Sequence, residues 1–280
     1  WLGLPEQDLW IDLATTERIF VAGAGKASAA MARGVAQVLT PVSPQRLVGH
    51  VQVPEDTDFQ DDAVEIVGAI DLRESLAITE PASRPSPWLE LHHVRPRGIN
   101  FVTATAVAKT KELAHKLAAL GPRDVCLFLL SGGASALLSE PLPGLTFADK
   151  NAVTRFLSAA GAPIEELNRV RSALSRIKTG GLARHCQAGR LLTLIISDVL
   201  GDPLPSIGSG PTFDDGQPPA ARAIRAMDIL QTYDPHRQHV PECVFESLQR
   251  ESQVRTAAHN VSLPANSAAS EFVILANTAT

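Results

Sequence analysis

The sequence predicts an α/β fold in which helices cover a mostly parallel sheet. Short apolar runs of strand length alternate along the chain with Ala- and Leu-rich segments of helical length. Hydrophobic residues make up 45% of the 280 residues and charged residues 20%, which allows a large core. Strands separated by helices form βαβ units, and such units produce parallel sheets. We therefore expect a layered α/β/α domain over residues 1–280.

The first half of the chain contains the segments expected for three strands and two helices. In chain order they are strand 18–23, helix 27–39, strands 46–53 and 64–70, and helix 103–120. Residues 71–100 carry four prolines and one glycine, and we interpret this stretch as an irregular excursion. Its adjacent His92 and His93 are candidate ligands, but we expect them to be exposed loop residues.

The second half continues the alternation and supplies the most apolar strand. We expect a strand over residues 124–130, because residues 125–130 are a continuous apolar run, which is typical of a strand buried on both faces. The other predicted elements are helices 146–160 and 164–184, strand 190–196, loop 197–219, and helices 220–232 and 241–251. Residues 271–280 indicate a last strand that runs into a polar turn. Since a natural C terminus seldom follows a buried strand directly, we expect a further domain beyond residue 280.

Composition and net charge indicate which kinds of molecule this protein binds. The net charge of −5 is unusual for a general nucleic-acid-binding protein, which would carry a basic surface. The three cysteines are scattered without metal-ligand spacing, and the sequence shows no apolar run of membrane-spanning length and no signal peptide. We therefore expect a cytoplasmic protein that takes a small-molecule substrate, with no nucleic-acid or membrane partner, and that could form a homodimer.

Glycine-rich turns follow two of the predicted strands, at the sheet edge where parallel sheets bind ligands. The first turn contains Gly23, Gly25, Lys26 and Ser28, so that backbone N–H groups, a helix N terminus and a lysine charge converge. We interpret it as an anion-binding turn; the alternative is a tight turn with a solvated lysine. Its spacing fits neither a Walker A loop nor the three-glycine dinucleotide motif.

The second turn follows the most apolar strand and contains Ser131, Gly132, Gly133 and Ser135. Consecutive glycines permit a concave array of N–H groups, and the hydroxyls add donors for a phosphate or a carboxylate. A nucleophilic serine is less consistent with the sequence, because the Gly-x-Ser-x-Gly pattern is absent. The remaining alternative is a glycine turn that only packs closely on a neighbour.

The third strand end carries carboxylates and another glycine turn. Asp198 and Asp202 follow an apolar strand, and either could hold Mg²⁺, which prefers one or two carboxylates plus substrate phosphates. Ser209, Gly210 and Thr212 offer further backbone and hydroxyl donors for a phosphate. The alternative is that these Asp and Ser side chains cap the backbone of the loop.

A basic group lies on the predicted helix 164–184. Asn168, Arg171, Ser175 and Lys178 recur every three or four residues and would share one helix face. Such a face is usually solvated, but the glycine pair directly after it also allows the cations to point into a phosphate site. Glycine turns, cations and aspartates together meet the needs of phosphoryl transfer, which are positioning, positive charge and Mg²⁺.

Several stretches, in this order along the chain, resemble class II glycerate kinases, the family with a C-terminal MOFRL domain. The matching stretches are residues 23–28, 130–138, 143–146, 168–182, 197–202 and 209–212. The resemblance implies a Rossmann-like N-terminal domain and transfer of the γ-phosphate of ATP to D-glycerate, giving 2-phosphoglycerate. Lys26 matches the family's active-site lysine, and we add Arg171 and Lys178 as catalytic candidates. A second domain would complete the cleft, so this fragment alone would be inactive.

One departure from the family pattern leaves the substrate open. Family members carry Gly-His-Pro-x-Pro-Asp before the central glycine turn, whereas this chain has Gly98 followed by Ile-Asn-Phe-Val-Thr at residues 99–103. A related hydroxy acid or sugar acid therefore fits as well as glycerate. Two other functions stay open, a hydroxypyruvate reductase and a non-catalytic module that binds a phosphate ligand.

Overall fold

A computed structural model describes residues 2–4, 9–39, 44–55, 69–70, 88–96, 101–253 and 269–278. Within these ranges, seven strands form one sheet and two short strands form a separate hairpin. The hairpin strands are β1 (Leu2–Leu4) and β2 (Leu9–Ile11), and the sheet strands are β3 (Ile19–Ala24), β4 (Leu47–Pro54), β5 (Ala69–Ile70), β6 (Leu89–Arg95), β7 (Val125–Ser131), β8 (Arg190–Ser197) and β9 (Ala269–Asn277). All pairings in the sheet are parallel except that of β5 with β6 at one edge. The predicted, mostly parallel sheet is confirmed.

The order of the strands places a topological switch point at the centre of the sheet. The order is β5-β6-β4-β3-β7-β8-β9, and Ile19 of β3 lies between Leu47 of β4 and Val125 of β7. The chain runs outward from β3 through β4 and β6, then returns to the other side of β3 and runs outward through β7, β8 and β9. This is the Rossmann order, in which ligands bind beyond the carboxyl ends of the two central strands.

The helices that connect or follow these strands vary widely in length. They are α1 (Ser28–Leu39), α2 (Ala104–Ala118), α3 (Ala134–Leu137), α4 (Phe147–Ala159), α5 (Ile164–Ala173), α6 (Gly181–His185), α7 (Pro219–Tyr233) and α8 (Glu242–Gln253). Thr103 caps α2 and Thr146 caps α4, each accepting a backbone N–H of the first turn. In the described part of the chain, no helix combines the length and the apolar character that crossing a membrane requires.

Strand β7 shows how the core is layered. Cys126, Phe128 and Leu130 pack with α2 on one face of the sheet, and Leu127 and Leu129 pack with α1 on the other. All five side chains are buried, and each fully buried leucine or phenylalanine contributes roughly 1.5–3 kcal/mol to folding. Helices α4, α5, α7 and α8 form a third apolar cluster of their own beside the sheet.

Two predicted segments differ from the structure. Within the predicted excursion 71–100, residues 89–95 form strand β6, which pairs with β4, so His92 and His93 lie in the sheet and not in a loop. Because polar residues of β6 face α2, this segment lacks the continuous apolar run that identifies an interior strand in a sequence. Residues 71–87 and 97–100, and residues 64–68 of the strand predicted at 64–70, lie outside the described ranges. The predicted helix 164–184 is divided into α5 and α6.

Asp234, directly after α7, holds the following turn through its carboxylate. It accepts the backbone N–H groups of Gln238 and His239 at 2.9 Å and of Val240 at 2.8 Å. Burial acts to raise the pKa of Asp234, but these N–H donors outweigh it and lower the pKa to about 2. We expect Asp234→Ala to reduce the free energy of unfolding by about 1–3 kcal/mol, measured by urea denaturation near neutral pH.

The pH dependence of this effect has a definite sign. Because the pKa of Asp234 is depressed on folding, its contribution is complete above the ordinary pKa of an aspartate and is lost as pH falls towards 2. The difference between wild type and Asp234→Ala should therefore shrink as pH falls from about 5 to about 3. A difference that stays constant over this range would contradict the assignment.

Candidate active site at the carboxyl edge of the sheet

The turns after β3 and β7 are joined by backbone hydrogen bonds at the switch point. The N–H of Lys26 donates to the carbonyl oxygen of Gly132 at 3.0 Å, and the N–H of Ala27 donates to Ser131 Oγ at 3.0 Å. Gly25, which directly precedes Lys26, has a φ of +137°, a conformation that suits glycine. The two glycine turns identified separately in the sequence therefore form one structure.

Gly132 and Gly133 make room for two charged side chains. A Cβ at Gly132 would lie 2.2 Å from Asp198 Oδ2, and a Cβ at Gly133 would lie 3.5 Å from Lys26 Cε. Gly133 also has a φ of +83°. An ammonium and a carboxylate, both exposed, thus border the same glycine pair. This arrangement offers a cation to a phosphate and a carboxylate to a metal ion.

Several residues predicted to bind phosphate have packing roles in the structure. Ser28 is fully buried; its hydroxyl donates to the carbonyl oxygen of Leu129 at 3.1 Å and lies 3.3 Å from Ser131 Oγ. Thr212 is buried and its hydroxyl bonds to a threonine of β8 at 2.9 Å. Gly23 lies within β3, where a Cβ would come 2.6 Å from the carbonyl oxygen of Leu129. These residues shape the turns and do not line them.

The basic residues predicted to share one helix face are held differently. Helix α5 ends at Ala173, so Ser175 and Lys178 lie in the turn that follows it, because the chain there pairs with residues 140–141. Arg171 and Lys178 nevertheless converge: both donate to Ser135 Oγ, at 3.3 Å and 2.5 Å. The expectation of one helix face is wrong, and both cations contact Ser135, which lies two residues after the Gly132–Gly133 turn.

Around Ser135 lies a small cavity of about 100 Å³, which we call the cation pocket. It is lined by Phe101, Val102, Ser135, Ser139, Lys150, Asn151, Thr154, Arg171 and Lys178. Lys178 also donates to Ser209 Oγ at 2.9 Å, and Ser209 Oγ lies 3.0 Å from Ser135 Oγ. Hydroxyls and cations from four separate segments thus surround one small space.

Lys150 is a member of this pocket that the sequence reasoning missed. It lies on α4, is only 5% exposed, and donates to Ser139 Oγ at 3.2 Å. Burial, with a further contribution from the charge of Arg171, lowers the pKa of Lys150 to about 7. Burial and the charges of Arg171 and Lys150 likewise lower the pKa of Lys178. The pocket therefore brings together three basic groups that form no ion pair with an acidic residue in the described part of the chain, and their burial disfavours the protonated forms of both lysines.

The other predicted site residues lie around the rim. Asn168 Oδ1 accepts a hydrogen bond from Arg171 at 3.1 Å and so helps to orient the guanidinium. Asp202 has a φ of +50°, and its Oδ1 accepts from Asn277 Nδ2 at 2.6 Å, so it helps to hold the loop after β8. Gly210 has a φ of +57° and ends the turn that carries Ser209. Of the two predicted metal ligands, Asp198 is the one beside the glycine turn.

A larger cavity of about 570 Å³ lies elsewhere, between α1 and strands β7 and β8. Its lining is apolar, with side chains such as Met31, Val35, Leu129 and Leu194, and it contains no charged residue. A binding site for a polar ligand needs a few convergent polar groups. We therefore place the candidate active site at the carboxyl edge of the sheet and not in this cavity.

A second cluster of potential metal ligands lies under α2. One donor atom from each of His50, Glu90, His92 and Glu112 lies within 4.8 Å of the others. The ammonium group of Lys116 lies among them, 2.7 Å from Glu90 Oε2, 2.9 Å from Glu112 Oε1 and 3.4 Å from His50 Nδ1. The lysine supplies the positive charge here, so the cluster is an ion-pair network within the fold.

This network predicts a pH-dependent stability. Burial, followed by the charges of His92 and Lys116, lowers the pKa of His50 to about 3, so the folded protein keeps this ring neutral. Since the unfolded chain protonates the ring near its ordinary pKa of about 6.5, stability should fall as pH drops from about 7 to about 5. We expect His50→Leu to flatten this dependence in urea denaturation, whereas the exposed His236→Gln should leave it unchanged. Equal slopes for His50→Leu and wild type would contradict the prediction.

Comparison with known proteins agrees with the resemblance seen in the sequence. Residues 3–249 match a family described as a domain of unknown function, DUF4147. Glycerate kinase of Rattus norvegicus is 37% identical over 197 residues, which cover 70% of this chain and 34% of the rat protein. A putative hydroxypyruvate reductase of Agrobacterium vitis is 36% identical over 225 residues, covering 75% of this chain and 50% of that protein. The chain thus spans a third to a half of the length of these relatives.

A solved structure supports the fold. The crystal structure of glycerate kinase from Thermotoga maritima superimposes with a TM-score of 0.66 and 24% identity, over 97% of this chain and 52% of that chain. The layered α/β architecture and its parallel sheet are therefore shared with a known protein. Because the family match extends over most of the sequence, this chain belongs to the DUF4147 family.

Proposed function

We propose that this chain is the part of an ATP-dependent kinase that binds the phosphates and the acceptor, and that the acceptor is glycerate or a related hydroxy acid. The main support for this proposal is that Lys26 and Asp198 border the Gly132–Gly133 turn at the switch point of a Rossmann sheet. Phosphoryl transfer requires positioning, positive charge and usually Mg²⁺, and this edge of the sheet offers groups for each. The name of the Rattus norvegicus relative, glycerate kinase, agrees with the proposal.

The residues at this edge suit different parts of the reaction. Lys26 would pair with the transferred phosphate and stabilise the charge that develops on it. Asp198 has the properties of a Mg²⁺ ligand, since it is exposed at a strand end beside the phosphate turn and forms no ion pair with the described residues. A bound Mg²⁺ would neutralise phosphate charge. The cation pocket, which shares Ser135 with the start of α3 directly after this turn, would hold the acceptor.

The proposal is tested by an ADP-release assay on the full-length protein with Mg-ATP. D-Glycerate is compared with a panel of hydroxy acids and sugar acids, and the product is analysed to show whether 2-phosphoglycerate forms. Turnover with glycerate supports the kinase and shows that the altered residues 98–103 are tolerated. Turnover with another acid alone supports a kinase whose acceptor is that acid and not glycerate. Absence of turnover with every acid favours a non-catalytic module that binds a phosphate ligand.

The name of the two Agrobacterium vitis relatives, putative hydroxypyruvate reductase, makes hydroxypyruvate reduction the second candidate. One observation favours it: β4 is followed directly by Glu55, and an acidic residue after the second strand can bind the ribose of a nicotinamide cofactor. One opposes it: the third glycine of the dinucleotide motif is replaced by the buried Ser28. Titration of the full-length protein with NADH and NADPH, followed by hydroxypyruvate, separates the two candidates.

A further inference from the structure

The cation pocket contains three basic side chains that no acidic residue in the described part of the chain pairs with. Lys150, Arg171 and Lys178 all line it, and Lys150 and Lys178 are 5% and 3% exposed. Among the described residues, none of the three forms an ion pair with an aspartate or glutamate; their partners are hydroxyl, amide and carbonyl groups. Burial without a counter-charge disfavours the protonated forms of these groups, so an anionic ligand would supply the negative charge that the described residues do not provide.

We propose that the cation pocket binds the carboxylate of the acceptor acid, and that Lys150 determines specificity for it. This inference rests on the proposed function. The pocket volume of about 100 Å³ corresponds to roughly three water molecules. This space suits the carboxylate end of a small organic acid and is too small for a nucleoside triphosphate. Two hydroxyls, those of Ser135 and Ser139, stand beside the cations and can bond the same carboxylate.

The position of the pocket fits an acceptor site. Ser135 lies on α3, which begins at the Gly132–Gly133 turn bordered by Lys26 and Asp198. A small acid held by its carboxylate at Ser135 would therefore extend its hydroxyl groups towards the proposed phosphate site. Phe101 and Val102 form the apolar wall of the pocket and belong to segment 98–103, which departs from the glycerate kinase pattern. The pocket is thus also the place where this chain would select its acid.

The uptake of protons when a ligand binds in the pocket can be measured without catalytic turnover. Lys150 faces the cations Arg171 and Lys178 and the hydroxyl of Ser139, and its pKa of about 7 leaves it largely neutral near pH 8. A bound carboxylate favours the charged amine and raises this pKa. Binding of D-glycerate at about pH 8 should therefore take up protons from the buffer. Binding of uncharged glycerol should be undetectable.

The experiment combines calorimetry and kinetics on the full-length protein. D-Glycerate, glycerol and inorganic phosphate are titrated in buffers of different ionisation enthalpy, with wild type, Lys150→Met and the exposed-lysine control Lys111→Met. We expect Lys150→Met to weaken D-glycerate binding and raise its KM by at least about tenfold, to reduce the proton uptake, and to leave the KM for ATP within about twofold. Because the variant removes a buried amine that has no acidic partner among the described residues, its melting temperature without ligand should equal or exceed that of wild type.

The possible outcomes separate this inference from the proposed function. Unchanged D-glycerate affinity in Lys150→Met, or no proton uptake by wild type near pH 8, overturns the inference even if the kinase is active. Phosphate binding that depends on Lys150 while D-glycerate binding does not would also overturn it, by making the pocket a phosphate site. Lys150-dependent binding of D-glycerate without any phosphoryl transfer would support the carboxylate pocket and contradict the proposed kinase activity.

Discussion

Lys26→Ala in the full-length protein is expected to lower kcat by on the order of 10²–10³-fold, the usual cost of removing one preorganised charge from a transferring group. Lys26 is exposed, and its aliphatic chain lies over Gly133 at the switch point of the sheet. Its backbone N–H, which joins the two turns by donating to Gly132, is unaffected by the substitution. The free energy of unfolding should therefore stay within about 0.5 kcal/mol of wild type.

Two comparisons make this expectation specific to the ammonium group. Lys26→Arg keeps a positive charge at the turn and should retain more activity than Lys26→Ala. Lys111→Ala removes an exposed lysine from α2, away from the carboxyl edge, and should behave like wild type. The measurement is the ADP-release rate at saturating ATP and acid, with circular dichroism to verify folding. Near-normal kcat in a folded Lys26→Ala protein would remove Lys26 from the mechanism.

Much of the sheet could be predicted because buried parallel strands have a local signature. Residues 125–130 are apolar without interruption, since β7 is buried on both faces, and the structure places the strand at Val125–Ser131. Strand β6 lacks this signature because Glu90 and His92 point to the ion-pair network under α2. The register and order of strands depend on contacts between distant segments, which periodicity does not report.

The same distinction explains which site residues could be found. The glycine turns are local features of sequence, and the structure joins them as the rule for parallel sheets predicts. Lys150 was missed because a lysine on a surface helix usually points to solvent. A signal was nevertheless present: Lys150, Val153 and Leu157 are the buried residues of α4, and they recur at helical spacing on one stripe. A cation on an apolar stripe deserves examination as a possible ligand.

Gly25→Ala is the substitution from which we expect the largest loss of stability. A Cβ at Gly25 would lie 2.1 Å from Ser131 Oγ and 2.6 Å from the Ser131 carbonyl oxygen, and the residue has a φ of +137°. The carbonyl belongs to the end of β7 and cannot rotate away as a side chain could. The turns of β3 and β7 would have to separate, which breaks the hydrogen bond from Lys26 to Gly132. We expect the free energy of unfolding to fall by about 3–5 kcal/mol.

Two further variants distinguish a steric cause from a general effect of replacing glycine. Gly34→Ala lies within α1, where an added Cβ meets no atom within 4 Å, and should stabilise the protein by about 0.5–1 kcal/mol. Combining Gly25→Ala with Ser131→Ala removes the hydroxyl but neither the carbonyl contact nor the positive φ, so it should not restore stability. Urea denaturation measures all three. If the double variant recovered wild-type stability, the close approach of the two turns would be a side-chain contact, and the switch point would tolerate larger residues than this geometry allows.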